Sequence, residues 1–408
     1  MRKLIVGVIG ALGAFGVMAG TPPAAAQPAS VATSSRAAST SIDEGGLEVR
    51  LEPRGGRRTF SQGEPIVLDL VLVARDGGTA GPWIYAVDEQ SSGVSRQIDI
   101  SPATGWFRAR GVDHFDMSSM RVIGAKPVRL PVVVNRAISF QQPGRYELAV
   151  TTAIERRVTA KPSDRSSTRI TTAPLMLTIT AADEGQEAAR VATLVAAIEK
   201  GGACRPVEAA ARQLAFLGGE TATREKARLF TAPGPQCADV GNEIRMGLGS
   251  SRHLPLQLEL LHAAWIDSAQ APDQSLLSAM TDTRAFLRGE TVPGWQGIAD
   301  LSSPQALRTA QDAALAVEEL VDSLPRREGR SQADTAYTLI ALLSLDEAQR
   351  DRVRPFVLRH FTDMSPLQRG MLMSSRDKVA LCGAVDTAPD EWLSAAGRQA
   401  LIASCTAS

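Results

Sequence analysis

Asp113, His114 and Asp116 fall together in GVDHFDMSS, residues 111 to 119, and bring two carboxylates and an imidazole within four positions. A divalent cation could be held by such a set, or a water polarised for hydrolysis. A solvated polar loop is the alternative, because the stretch carries no further ligand at a recognised metal-site spacing. The chain has four cysteines, Cys204, Cys237, Cys382 and Cys405, all from its midpoint onward. Each of the pairs Cys204 with Cys237 and Cys382 with Cys405 flanks what reads as neighbouring helices, so these two disulfides are the expected connectivity among the three that four cysteines allow. Free buried thiols and metal ligation are the alternatives, the latter without a CxxC spacing or a nearby histidine to support it.

Four histidines are a small stock for acid–base work. His262 sits among leucines and reads as a packed or edge residue, His253 lies at a helix start, and His360 beside Arg359 suits a helix C-terminus, where a cation is favoured by the dipole. The basic turn of Arg54, Arg57 and Arg58 could meet an anion, but it also fits a solvated hairpin tip. GxSxG, HExxH, a P-loop, an EF-hand loop and a GxGxxG following a strand are all missing from the sequence. No cofactor is therefore expected and no catalytic residue can be assigned.

The elements that would position these residues divide the chain. Arg2 and Lys3, the apolar run LIVGVIGALGAFGVMAG and the small residues of TPPAAAQ read as a signal peptide cleaved near Ala26. An uncleaved anchor is the alternative, though the run is shorter than the roughly 20 apolar residues that span a bilayer. Export to the periplasm or outside the cell, where disulfides persist, follows from that leader. The mature chain then has no transmembrane segment, and its 42 basic and 44 acidic residues give no field favouring nucleic acid. Residues 27 to 44, rich in Ser, Ala and Thr without periodicity, read as a disordered linker.

Residues 45 to 182 alternate as strands do. LEVRLE sets Leu47, Val49 and Leu51 against Glu48, Arg50 and Glu52, and the nearly continuous apolar run from Ile66 to Val73 suits a central strand. PWIYAV, RQIDI, VRLPVVV, RYELAVTT and PLMLTIT supply more strands, with Gly and Pro between them. From residue 183 to 408 the period becomes helical. Val191, Leu194, Val195 and Ile198 share one stripe, Val207, Ala210, Ala211, Leu214 and Leu217 the next, and Gly218-Gly219 is expected to cap that helix. Ser303 and Pro304 mark the start of a long helix, SQADTAYTLIALLSL reads as a central one, and Pro355 is expected to bend or restart the helix around Val353, Phe356, Val357 and Phe361. The expected fold is thus two domains, an all-β sandwich followed by an all-α helical array or irregular bundle.

The pair FSQGEPIVLDL and FQQPGRYEL resembles exported immunoglobulin-like modules, including the BsuPI proteinase-inhibitor type. That resemblance implies that Tyr146, near the start of the penultimate strand behind the turn at Pro143 and Gly144, pins a corner of an Ig-like β-sandwich through its hydroxyl, with Trp83 packed centrally. The family's usual cysteine two residues later is Leu148 here, so its inter-sheet disulfide cannot form. The helix, Gly turn, helix rhythm after residue 183 resembles HEAT-like repeats, without a fixed repeat length. Together these features imply a non-enzymatic, exported interaction or scaffold protein with a protein partner in the cell envelope. An inhibitor of an exported protease and a metal-dependent hydrolase built on the Asp113 loop are the alternatives.

Overall fold

The computed structural model describes residues 46–75, 83–87, 96–108, 119–157, 165–232, 237–267, 272–290 and 303–406. The leader, the linker and the cluster of Asp113, His114 and Asp116 lie outside the described residues.

Alternation builds the first half. Strands β1 (Leu47–Pro53), β2 (Thr59–Ser61), β3 (Val67–Ala74), β4 (Trp83–Val87), β5 (Arg96–Ser101) and β6 (Trp106–Arg108) are followed by β7 (Ser119–Ile123) and β8 (Val128–Val133). A short helix, α1 (Val134–Ala137), leads to β9 (Ile138–Phe140), β10 (Gly144–Arg157), β11 (Arg165–Thr171) and β12 (Leu175–Thr180). One sheet has the antiparallel order β1-β3-β8. In the larger sheet β10 is the spine. One of its edges takes β12 along residues 144–148 and β11 along 151–157, and the other takes β5 and then β4, which carries β7. β2 joins β12 in parallel, and β6 pairs with β9.

Inward residues of both sheets enter one core, with Leu47, Val49 and Leu51 from β1 meeting Leu148, Val150 and Ile154 from β10. The outer face of the smaller sheet is a ladder of charge pairs. Arg50 lies between Glu48 and Glu52, Arg75 pairs with Glu48, Arg129 with Glu52, and Arg54 with Asp69. Such partly exposed pairs contribute little stability but keep that face polar.

Tyr146 is buried in β10, and its hydroxyl lies 2.8 Å from the Gln142 carbonyl and 3.2 Å from that of Gly105. Its ring tilts against Phe140 at 4.9 Å. Gly105 has φ +83°, and a Cβ there would lie 2.6 Å from the tyrosine hydroxyl, so both backbone angle and space demand glycine. Among the described residues two strands follow β10, so the strand that carries Tyr146 is not the expected penultimate one. Trp83 is buried in the same core, with the Arg156 guanidinium 4.8 Å over its ring.

The helical half begins where the alternation ends. Asp183 accepts from the Gln186 N–H as N-cap of α2 (Glu184–Lys200), followed by α3 (Cys204–Phe216), α4 (Glu220–Thr231), α5 (Ala238–Leu248), α6 (Leu254–Asp267) and α7 (Gln274–Leu287). Then come α8 (Pro304–Ser323), capped by Ser303, and α9 (Gly329–Leu342), α10 (Glu347–Arg359), α11 (Pro366–Met373), α12 (Lys378–Thr387) and α13 (Ala395–Thr406). The middle of α9 is buried on every side, as its composition predicts.

α10 runs unbroken through Pro355 and so does not restart there; the carbonyl that the proline leaves without a donor belongs to exposed Asp351, where solvent replaces the bond. Gly218 and Gly219 do not form a left-handed cap, since α3 ends one residue earlier and Gly219 takes extended angles before α4. Space explains the glycine at 218, where a Cβ would lie 2.2 Å from the Ser250 carbonyl oxygen.

Cys204 is bonded to Cys237, tying the start of α3 to the residue before α5, and Cys382 to Cys405, tying α12 to α13. Loops of these lengths contribute about 3 kcal/mol each by restricting the unfolded chain. The halves meet through α1 and β6. Arg136 bonds Glu243 of α5 at 2.7 Å, and Phe107 stacks on Phe286 of α7 with centroids 4.2 Å apart.

Replacing Tyr146 with phenylalanine keeps the ring packing and removes the hydroxyl from the carbonyls of Gln142 and Gly105. The expected cost is about 1–2 kcal/mol, read as a lower urea midpoint at unchanged slope; an unchanged midpoint would remove the corner role.

Candidate functional site

Among the described residues, buried ionisable groups converge where α2, α3, α4 and α5 meet the loop after α5. Lys226 of α4 is completely buried. Its Nζ donates to the Leu217 carbonyl at 2.7 Å, to the Gly247 carbonyl and to Ser250 Oγ at 2.7 Å. Three acceptors match the three N–H groups of an ammonium. The Leu217 carbonyl lies just past the end of α3, and the Gly247 carbonyl, in the last turn of α5, takes the Ser250 N–H at 3.1 Å besides the ammonium; helix C-termini such as these concentrate negative potential.

A second shell of charge supports this group. Glu187, on the buried stripe of α2, accepts from the Gly219 N–H at 2.5 Å and from Arg252 Nη2 at 2.7 Å, and the Arg252 N–H donates to the Gly218 carbonyl at 2.8 Å. Thr223 and Ser251 share a hydroxyl contact of 2.7 Å alongside. Burial pulls the proton affinity of Lys226 down to about 7, with Glu187 raising it and Arg252 lowering it further.

A serine beside a lysine poised near neutrality invites a nucleophile and general-base reading. The geometry opposes it. Ser250 Oγ lies 2.6 Å from the Ala215 carbonyl, 2.7 Å from that of Gly247 and 3.1 Å from that of Leu217. Oxygens this close need the hydroxyl proton between them, so it faces a carbonyl and not the amine. Four polar atoms surround Oγ, leaving no open approach for an electrophile, and three of them are carbonyl oxygens that would repel an oxyanion. The group is a clamp that satisfies helix ends.

Ser250 also lines two clefts between the halves, beside Asn135, Ser139 and Phe216, each of about 20 Å³. Such volumes accommodate a water or two and no organic substrate. Asn135 fastens the strand entry here, accepting from the Ile66 N–H at 2.9 Å and donating to the Glu64 carbonyl at 2.7 Å.

Several of the other described candidate residues have structural partners. Arg54 pairs with Asp69 and Arg57 with Glu64. His262 lies on an exposed edge with Nε2 3.0 Å from Glu319, and His360 closes α10 between Asp363 and Gln332. Among the described residues, the metal-ligating side chains that converge are Cys204, Glu208 and Cys237, and the disulfide occupies both sulfurs.

The clamp was legible in principle. Lys226 stands on the same face of α4 as Ala222 and Phe230, and Glu187 on the stripe of Val191 and Leu194, so each is a charge at a core position. No protein-family model, curated protein or solved structure matches the chain.

The unfolded chain holds the Lys226 proton up to about 10.5 and the folded chain releases it near 7, so the unfolded state binds more protons between those values. Stability should rise with pH across that window by about 1 kcal/mol per unit. Denaturation midpoints at intervals from pH 7 to 10 should show this rise in the natural chain and lose it in Lys226→Met; equal slopes in both would show that the amine does not titrate there.

Proposed function

We propose that this chain is an exported, non-enzymatic interaction protein of the cell envelope, an Ig-like module joined to a HEAT-like helical array, acting in the periplasm or outside the cell. A signal-peptide-like leader and two disulfides support export. No described helix is long and apolar enough to cross a membrane. The described polar clusters are consumed in holding helix ends and joining the halves, which favours binding over catalysis.

The observation that carries the reading is a set of apolar side chains turned outward at the C-terminal end. Leu367 of α11 and Val379 of α12 are 74% and 82% exposed, and Met371, Trp392 and Ile402 are also exposed. Leu367 and Met371 stand one turn apart and so share a face of α11. Water-exposed apolar side chains concentrated between residues 367 and 402 suit burial against a protein partner.

In-cell crosslinking of the full chain tests this. The natural chain should give a discrete adduct that is lost in the double variant Leu367→Glu, Val379→Glu and kept in Leu315→Glu, which changes an exposed leucine of α8. An adduct pattern shared by all three chains, or no adduct at all, would overturn the proposal.

A further inference from the structure

The C-terminal part of α5, the first turn of α6 and the last half of α7 enclose a cavity of about 30 Å³. Gln257, Asp282, Thr283, Arg245, Leu248 and Phe286 line it. Gln257 is 1% exposed and stands on the buried stripe of α6 with Leu254, Leu261 and Trp265.

The orientation of its amide follows from a chain of donors. Thr283 donates its hydroxyl to the Ala279 carbonyl at 2.7 Å, and so must accept from Gln257 Nε2, 2.8 Å away. A flipped amide would set two acceptors against each other. Gln257 Oε1 is thereby fixed as an acceptor, and it has no hydrogen-bond partner among the described residues. A buried amide oxygen left in that condition costs about 1–3 kcal/mol, and folded proteins pair such atoms with protein or ordered water.

The cavity supplies the means. A water needs roughly 10–15 Å³ of this volume and two to four polar partners, so one or two fit. Arg245 and Asp282 line the same space and offer a donor and acceptors beyond the amide oxygen. We propose that this cavity is a binding site for ordered water, in which one molecule donates to Gln257 Oε1 and bridges α6 to the polar residues of α5 and α7. Phe286 forms one wall and stacks on Phe107 of β6, so the hydrated site backs directly onto a contact between the two halves.

A crystal structure of the full chain at a resolution that places waters should show a peak within about 3.2 Å of Gln257 Oε1, and xenon pressurisation should leave the cavity empty of xenon. Gln257→Met should lose that peak and admit xenon, since apolar cavities stay dry and take up apolar gas. If the variant does not fold, the natural chain decides alone. No peak near Oε1, or xenon bound in the natural cavity, overturns the proposal.

Discussion

The ends of α3 and α5 set the problem that the amine of Lys226 solves. Both helices stop against the completely buried Lys226, whose ammonium meets the Leu217 carbonyl and shares the Gly247 carbonyl with the Ser250 N–H, and a buried carbonyl left without a donor is costly. A lysine reaching across from α4 lets both helices end there, and the resulting turn brings Leu217 against Gly63, at the entry to β3. Glu187 and Arg252 hold the same turn from α2 and from the loop after α5. The buried charge costs desolvation, and that cost is offset by two helix C-termini and a nearby carboxylate.

From this turn the joint between the halves is built outward. Glu243 receives Arg136 from α1 and Arg212 from α3, so one carboxylate ties the sheet region to two helices. The stacked rings of Phe107 and Phe286 form a separate apolar contact, with Leu254 and Ala285 packed around them. Only the residues between Thr180 and Glu184 link β12 to α2, and the Ser61 hydroxyl donates to the Ala181 carbonyl within that link. Swinging one half against the other would mean breaking an ionic contact and an aromatic contact together. The halves therefore keep separate cores while sharing a specific seam.

Periodicity carried most of the architecture. β1, β10 and β12 repeat every second residue, β3 is a nearly continuous buried run, α2 and α3 repeat every three to four, and the change of period falls at Asp183, where the N-cap lies. Three-residue strands such as β2, β6 and β9 are too short to show a period, and they form because longer neighbours offer them an edge. The pair Gly218-Gly219 misled because glycine has two uses, backbone freedom and absence of volume, and a single sequence does not distinguish them. At the joint, Lys226, Glu187 and Gln257 occupy core positions of amphipathic helices, so a polar residue on an apolar stripe was the available signal; their partners are backbone groups, two hydroxyls and Arg252, distant in sequence, so residue type alone does not pair them. The Asp113 loop, the most suggestive stretch by composition, lies outside the described residues.

The bond from Cys382 to Cys405 closes a 23-residue span that includes nearly all of α13. Fraying of α13 one turn at a time is therefore blocked, because its last turn is covalently held to α12. The two helices must loosen as a pair before either can unwind alone, so resistance to local opening is built into this hairpin itself.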